Sequence, residues 1–175
     1  MLKNKMLLLL SVFLFSCSHV SQKQVYQKQE KISGGVFEQE EWKDALKFKR
    51  VSWYSEVNMH YEALIAPLEE KSPFRKWLSE DEKNMVKACT SFFIAQIYTI
   101  DSEIISHQMF ISQVEKAGFK TFLIPHFAKE LNAHPEVSWR NLKTYQVTGI
   151  CNSQNNVLKM PISFPGFPAV MIVVE

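Results

Sequence analysis

Apolar residues recur at helical spacing in the first half of the chain. Between residues 38 and 66 they stand three, four or seven positions apart, which places them on one face of an amphipathic helix. Proline disfavours helical geometry in the residue before it, so Pro67 marks the end of this segment. The pattern therefore predicts a long first helix with one apolar face, formed by Trp42, Leu46, Trp53, Val57, Tyr61 and Leu64.

A second helical segment begins at Ser79. Ser79 and Glu82 have the spacing of a capping box, in which each side chain accepts a hydrogen bond from the backbone N–H of the other residue. Apolar residues over 85–100 cover most of the helix circumference, which is typical of a central, buried helix. The same kind of spacing predicts three further helices, over 101–117, 121–133 and 136–142.

The C-terminal part of the chain has the composition of strands. Three runs with strand composition, over 145–151, 157–164 and 170–174, are separated by turn signals. The last run is five consecutive apolar residues, which indicates a strand covered on both faces. We therefore predict an α+β fold that is α-rich, with four to five helices followed by a small C-terminal three-stranded antiparallel meander.

The amino terminus has the organisation of a signal sequence. Lys3 and Lys5 precede an apolar run over residues 6–15, and this run is about half as long as a membrane-spanning helix. The stretch Leu14-Phe15-Ser16-Cys17 resembles the lipobox of bacterial lipoproteins. The resemblance implies that a diacylglycerol is attached to the Cys17 thiol, that the chain is cut before Cys17, and that the new amine receives a fatty acid such as palmitate.

The lipobox resemblance also implies a location. Two or more acyl chains anchor a protein stably to a membrane, and within this family a residue such as Ser18 after the cysteine implies sorting to the outer membrane. Residues 18–35 are rich in Gln, Lys and Ser and contain few large apolar groups. We therefore expect a signal peptide over 1–16, a lipidated cysteine and flexible tether over 17–35, and a single globular domain over 36–175.

The charge balance makes nucleic acid an unexpected partner. The chain has 20 basic and 18 acidic residues, and Lys3 and Lys5 lie in the segment expected to be removed. The remaining charges balance, and no compact basic stripe is left to contact phosphates. The expected partners are the membrane, through the lipid, and another protein of the envelope.

Two cysteines remain if Cys17 carries the lipid. An exported domain lies in an oxidising compartment, where disulfides persist, so Cys89 and Cys151 are candidates for a bridge. The alternative is two buried free thiols that behave as small apolar residues. The chain has no C-x-x-C pair, which makes a redox role unexpected.

Glutamate and histidine recur at one spacing. On a helix, Glu-x-x-x-His places both side chains on one face, so two such helices could together supply metal ligands. The alternative is a set of exposed charge pairs. The three pairs are Glu56/His60, Glu103/His107 and Glu130/His134.

The sequence assigns no catalytic residue. It contains no G-x-S-x-G, P-loop, G-x-G-x-x-G or H-E-x-x-H motif, and the covalent lipid on Cys17 is the only added group that we expect. These observations favour a membrane-anchored envelope lipoprotein that acts as a non-catalytic accessory or interaction module. Two alternatives stay open: a metal-binding or hydrolytic periplasmic domain that uses the Glu-x-x-x-His pairs and His126, and an apolar-ligand carrier with an internal cavity of at least about 300 Å³.

Overall fold

The computed structural model describes residues 25–33, 47–55, 58–100, 103–134 and 145–175. Cys17, the signal segment over 1–16 and the predicted helix over 136–142 lie outside these ranges. The predictions that concern them therefore stay predictions.

Antiparallel strands dominate this part of the chain. Six strands form the main sheet in the order β1-β2-β3-β4-β6-β5, and every neighbouring pair is antiparallel. Two further strands, β7 and β8, form a separate antiparallel hairpin. The strands are β1 Val25–Ser33, β2 Lys47–Ser55, β3 Asn58–Pro67, β4 Ser91–Thr99, β5 Lys120–Leu123, β6 Tyr145–Asn152, β7 Leu158–Ile162 and β8 Val170–Val174.

The helices lie between the strands. Within the described ranges they are a 3₁₀ helix over Pro73–Trp77 and three α-helices, α1 Glu80–Lys87, α2 Glu103–Lys116 and α3 Pro125–Ala133. Strands β1 to β4 follow one another across the sheet, and α2 then leads to β5 at the far edge. The chain returns after α3 as β6, which lies between β4 and β5. No α-helix among the described residues combines the length and the apolar character needed to cross a membrane.

The main sheet is the middle of three layers. One face packs against the 3₁₀ helix, α1 and α3, and the opposite face packs against α2 and the β7–β8 hairpin. Successive residues of a strand point to opposite faces, so Leu64 and Ile94 contribute to the first core and Ile65 and Phe93 to the second. Because both faces are covered, consecutive residues of β3 and β4 are buried.

The prediction of an α-rich fold is wrong, since the described chain is dominated by strands. Residues 47–55 and 58–67 form β2 and β3 instead of the predicted first helix, and residues 91–99 form β4 instead of the end of the second. A strand covered on both faces buries every residue, and so does a central helix. Hydrophobic periodicity alone cannot separate the two.

Several local predictions agree with the structure. The capping box is confirmed: the Ser79 Oγ accepts a hydrogen bond from the Glu82 N–H at 3.3 Å, and the Glu82 Oε2 accepts one from the Ser79 N–H at 2.8 Å. Helices α2 and α3 lie within the predicted helical stretches 101–117 and 121–133. The first residues of the latter form β5 instead.

The predicted C-terminal meander is divided between two sheets. Strand β6 belongs to the main sheet, and only β7 and β8 pair with each other. Strand β8 buries alternate residues, while Met171 is 49% exposed and Val173 is 38% exposed. The prediction that this strand is covered on both faces is therefore wrong. The hairpin packs on the sheet with one face and presents the other to solvent.

Part of the predicted tether is a strand. Residues 25–33 form β1, which pairs with β2 from Val25 opposite Ser55 to Ser33 opposite Lys47. Backbone hydrogen bonds to a neighbouring strand order an edge segment even when its side chains are mostly polar, and composition does not reveal this. Residues 25–33, which lie within the segment expected to be a tether, are therefore a strand of the main sheet.

A disulfide joins Cys89, which follows α1, to Cys151 on β6. The two Sγ atoms are 2.02 Å apart, the Cα atoms are 5.3 Å apart, and the two residues are separated by 62 positions in the sequence. The sequence left open a bridge or two buried free thiols, and the structure contains the bridge. Closing a loop of this length stabilises a fold by about 4 kcal/mol in the chain-entropy model.

Candidate functional site

An open groove lies where β3 leaves the main sheet and β4 enters it. Its volume is about 530 Å³, within the range typical of small-ligand sites. Leu68, Val86 and Phe92 line it and are almost fully buried. The charged side chains at the groove are Glu69, Glu70, Arg75, Lys87 and Glu175.

The guanidinium of Arg75 is held in one orientation beside this groove. Its Nε donates a hydrogen bond to the carbonyl of Glu69 at 3.0 Å, and its Nη2 donates one to the carbonyl of Leu68 at 3.3 Å. The Ser72 Oγ caps the short helix that carries Arg75 by accepting a hydrogen bond from the Phe74 N–H. A guanidinium has five N–H donors, so these two carbonyls leave donors that are already oriented.

No acidic side chain of the described ranges forms an ion pair with Arg75. The Glu69 and Glu70 side chains are exposed, although the backbone carbonyl of Glu69 holds the guanidinium. The other cation of the groove is Lys87, whose Nζ donates a hydrogen bond to the Asn84 Oδ1 at 3.4 Å. Within the described ranges, neither cationic side chain of the groove therefore forms an ion pair with one of its acidic side chains.

A buried polar cluster crosses the main sheet on the face that bears α1 and α3. The Glu62 Oε2 accepts hydrogen bonds from the Arg50 Nε at 2.7 Å and from the Ser52 Oγ at 3.2 Å, and Glu62 is fully buried. Gln96 lies on the neighbouring strand and is 1% exposed, and neither of its amide atoms has a hydrogen-bond partner in the described structure. Burial removes this cluster from solvent, so the groove is the more accessible candidate for a binding site.

His107 and Thr148 form a second buried pair, on the opposite face of the sheet. The His107 Nε2 lies 3.0 Å from the Thr148 Oγ1, and burial of the ring lowers the pKa of His107. A hydroxyl beside an imidazole has the composition of a nucleophile and its base. However, Thr148 is fully buried and His107 is 7% exposed, so a substrate has no access to either. The pair joins α2 to β6.

The predicted metal ligands are dispersed over the fold. His60 is on strand β3 and not on a helix, and its ring centroid lies 5.4 Å from that of Phe167. His134 ends α3, and its ring stacks on Trp77 with centroids 5.0 Å apart. His107 faces Thr148 in the core.

The remaining predicted metal ligands do not form a site either. His126 uses its Nδ1 to contact the carbonyl of Trp77 at 2.8 Å, and Glu130 is a partly exposed residue of α3. Glu56 lies outside the described residues, and Glu103 begins α2. Over the ranges that the structure describes, no three metal-binding side chains come together. Residues four positions apart share a face only on a helix, and His60 lies on a strand.

We compared the chain with protein-family models and curated proteins, and its fold with solved structures. None of these comparisons gave a match. The function must therefore be argued from the groove and the sequence.

Sequence reasoning did not identify the groove. It predicted a loop over 69–73 and one helical turn over 73–78, and the structure has a 3₁₀ helix over Pro73–Trp77. It gave no signal that Arg75 would fold back on the carbonyls of Leu68 and Glu69. These contacts involve backbone acceptors, which every residue has, so the identity of the residues could not reveal them.

Proposed function

We propose that this protein is a lipid-anchored envelope lipoprotein whose globular domain binds a ligand or partner without acting on it chemically. The signal segment and the lipobox ending at Cys17 support the anchor, and Ser18 supports the outer membrane as its location. The observation that carries the binding role is the solvent-accessible groove beside the oriented guanidinium of Arg75.

The groove favours binding of a polar ligand over transport of an apolar one. An apolar-ligand carrier needs an enclosed, apolar cavity. This groove is open, and charged side chains of both signs surround it. No specific observation favours the metal-binding or hydrolytic alternative.

The anchor is tested by metabolic labelling of the full chain with radioactive palmitate in a bacterial host. Wild-type protein should be labelled and should fractionate with the membranes, whereas Cys17→Ser should be unlabelled. The matched control is the double variant Cys89→Ala/Cys151→Ala, which loses two cysteines but keeps Cys17 and should still be labelled. Equal labelling of wild type and Cys17→Ser would remove the anchor from the proposal.

The binding role is tested separately, by hydrogen exchange of the full-length protein in detergent with and without isolated envelope material. Protection that appears around the groove and is reduced in Arg75→Gln supports the role. Unchanged exchange at the groove contradicts it, whatever the labelling experiment shows.

A further inference from the structure

We propose that the groove binds the zwitterionic form of a short peptide, with the ligand carboxylate on Arg75 and its ammonium group beside Glu69 and Glu70. The inference deepens the binding role proposed above and rests on it. It does not depend on the anchor at Cys17.

The carboxylate site follows from the geometry of Arg75. A guanidinium presents paired donors that match the two oxygens of a carboxylate, and fixing it beforehand reduces the entropy lost on binding. Here two backbone carbonyls hold the group at 3.0 and 3.3 Å. No described carboxylate occupies its other donors.

The ammonium site follows from the remaining charges. The groove has two cationic side chains, Arg75 and Lys87, but three acidic ones, Glu69, Glu70 and Glu175. A ligand that is only anionic would be repelled by this excess of acidic side chains in the lining. A ligand that carries one charge of each sign satisfies the guanidinium and one of the acidic side chains together.

The size of the groove fits a short peptide. A volume of about 530 Å³ lies in the range of small-ligand sites, well below that needed to enclose a folded partner. Leu68, Val86 and Phe92 line the groove but are at most 3% exposed, so a ligand meets mainly the polar groups of the lining. Ala-Ala-Ala carries the required carboxylate and ammonium groups on small side chains and is a suitable probe.

Isothermal titration of the full-length protein in detergent tests the assignment. Ala-Ala-Ala should bind, and its C-terminal amide should bind at least about tenfold more weakly because it lacks the carboxylate. The N-acetyl derivative should also lose affinity because it lacks the ammonium group. Equal binding of the amide and the free acid, tighter binding of inorganic phosphate, or no binding of Ala-Ala-Ala at millimolar concentration would each overturn the assignment.

Two variants locate the site. Arg75→Gln should abolish measurable binding, while Lys129→Gln, an exposed change on α3 outside the groove, should leave it unchanged. Arg75 also holds the backbone of Leu68 and Glu69 in place. The thermal unfolding of the Arg75→Gln variant is therefore measured as well. If Arg75→Gln does not fold, Glu70→Gln decides the question, since it should weaken binding of Ala-Ala-Ala but not of the N-acetyl derivative.

The outcomes separate the two proposals. If envelope material protects the groove but none of the peptides binds, the ligand class is wrong and the binding role stands. If Ala-Ala-Ala binds equally well to wild type and Arg75→Gln, the site assignment is wrong. If neither peptides nor envelope material affect the groove, both proposals fail.

Discussion

Glu82 joins the beginning of α1 to the beginning of α3 through the backbone of His126. The Glu82 Oε1 accepts a hydrogen bond from the His126 N–H at 2.9 Å, and its Oε2 accepts one from the Ser79 N–H at 2.8 Å. The first N–H groups of a helix have no partner within the helix and favour a negative charge nearby. One buried carboxylate therefore satisfies two helix ends on the same face of the sheet.

The first prediction concerns this carboxylate. Glu82→Gln replaces one acceptor oxygen by an NH₂ group, which would face a backbone N–H, so we expect a loss of about 1–3 kcal/mol in the free energy of unfolding. Urea denaturation followed by circular dichroism measures this loss. Asp81→Asn, an exposed change in the same helical turn, is the control and should cost clearly less. Equal losses would show that the double cap contributes no stability.

The second prediction concerns pH. Burial lowers the pKa of His107, so below the ordinary histidine value of 6.5 the unfolded chain takes up a proton that the folded protein resists. The stability from this residue is present above that pH and is lost as the pH falls from it towards the folded-state pKa. The free energy of unfolding should therefore decrease more steeply between pH 7.5 and 5.5 in wild type than in His107→Gln. If the free energy of unfolding depended on pH equally in wild type and His107→Gln, the lowered pKa of His107 would be contradicted.

The third prediction concerns the disulfide. Cys89→Ala/Cys151→Ala should lower the free energy of unfolding by roughly 4 kcal/mol, because the loop that the bridge closes becomes unconstrained in the unfolded chain. Denaturation of wild type with and without a thiol reductant should give a similar difference. Cys17→Ser serves as the control and should leave the midpoint unchanged. If the bridge contributes no stability, wild type, Cys89→Ala/Cys151→Ala and Cys17→Ser should have the same free energy of unfolding.

The fourth prediction concerns packing between β4 and β6. A Cβ atom at Gly149 would overlap the Phe92 ring, so Gly149→Ala should destabilise the fold by about 1–3 kcal/mol. Phe92→Leu removes the ring and should make the alanine less costly. A double-mutant cycle measures this coupling directly. Additive effects of the two changes would show that the ring does not determine the need for glycine.

The sequence predicted the elements whose signals are local. The capping box of Ser79 and Glu82 involves residues three positions apart, and the proline in the first turn of α3, Pro125, is a similarly local signal. Strands β3 and β4 could not be recognised in this way, because both of their faces are buried and β4 pairs with segments that are distant in the sequence. The stretch from Phe92 to Ile97, which is apolar except for Gln96, fits a central helix and a central strand equally well.

The binding groove depends even less on local signals. Arg75 is positioned by two backbone carbonyls, and the lining of the groove combines Leu68 with Val86 and Phe92 from separate parts of the chain. The side-chain composition of one segment contains no information about such an assembly. For the same reason the Glu-x-x-x-His spacing was a poor guide, since His60 and His107 lie on different elements with unrelated neighbours.

The position of β6 in the sheet also determines when the fold can be completed. Ser91 pairs with Asn152 and Tyr98 with Tyr145, so the centre of the sheet closes only through contacts between remote parts of the chain. Such long-range pairing is slow, and until β6 arrives β4 presents an unpaired apolar edge to its surroundings. We therefore expect a chain that stops before residue 145 to leave the β4 edge unpaired and to aggregate rather than to form a smaller version of this domain.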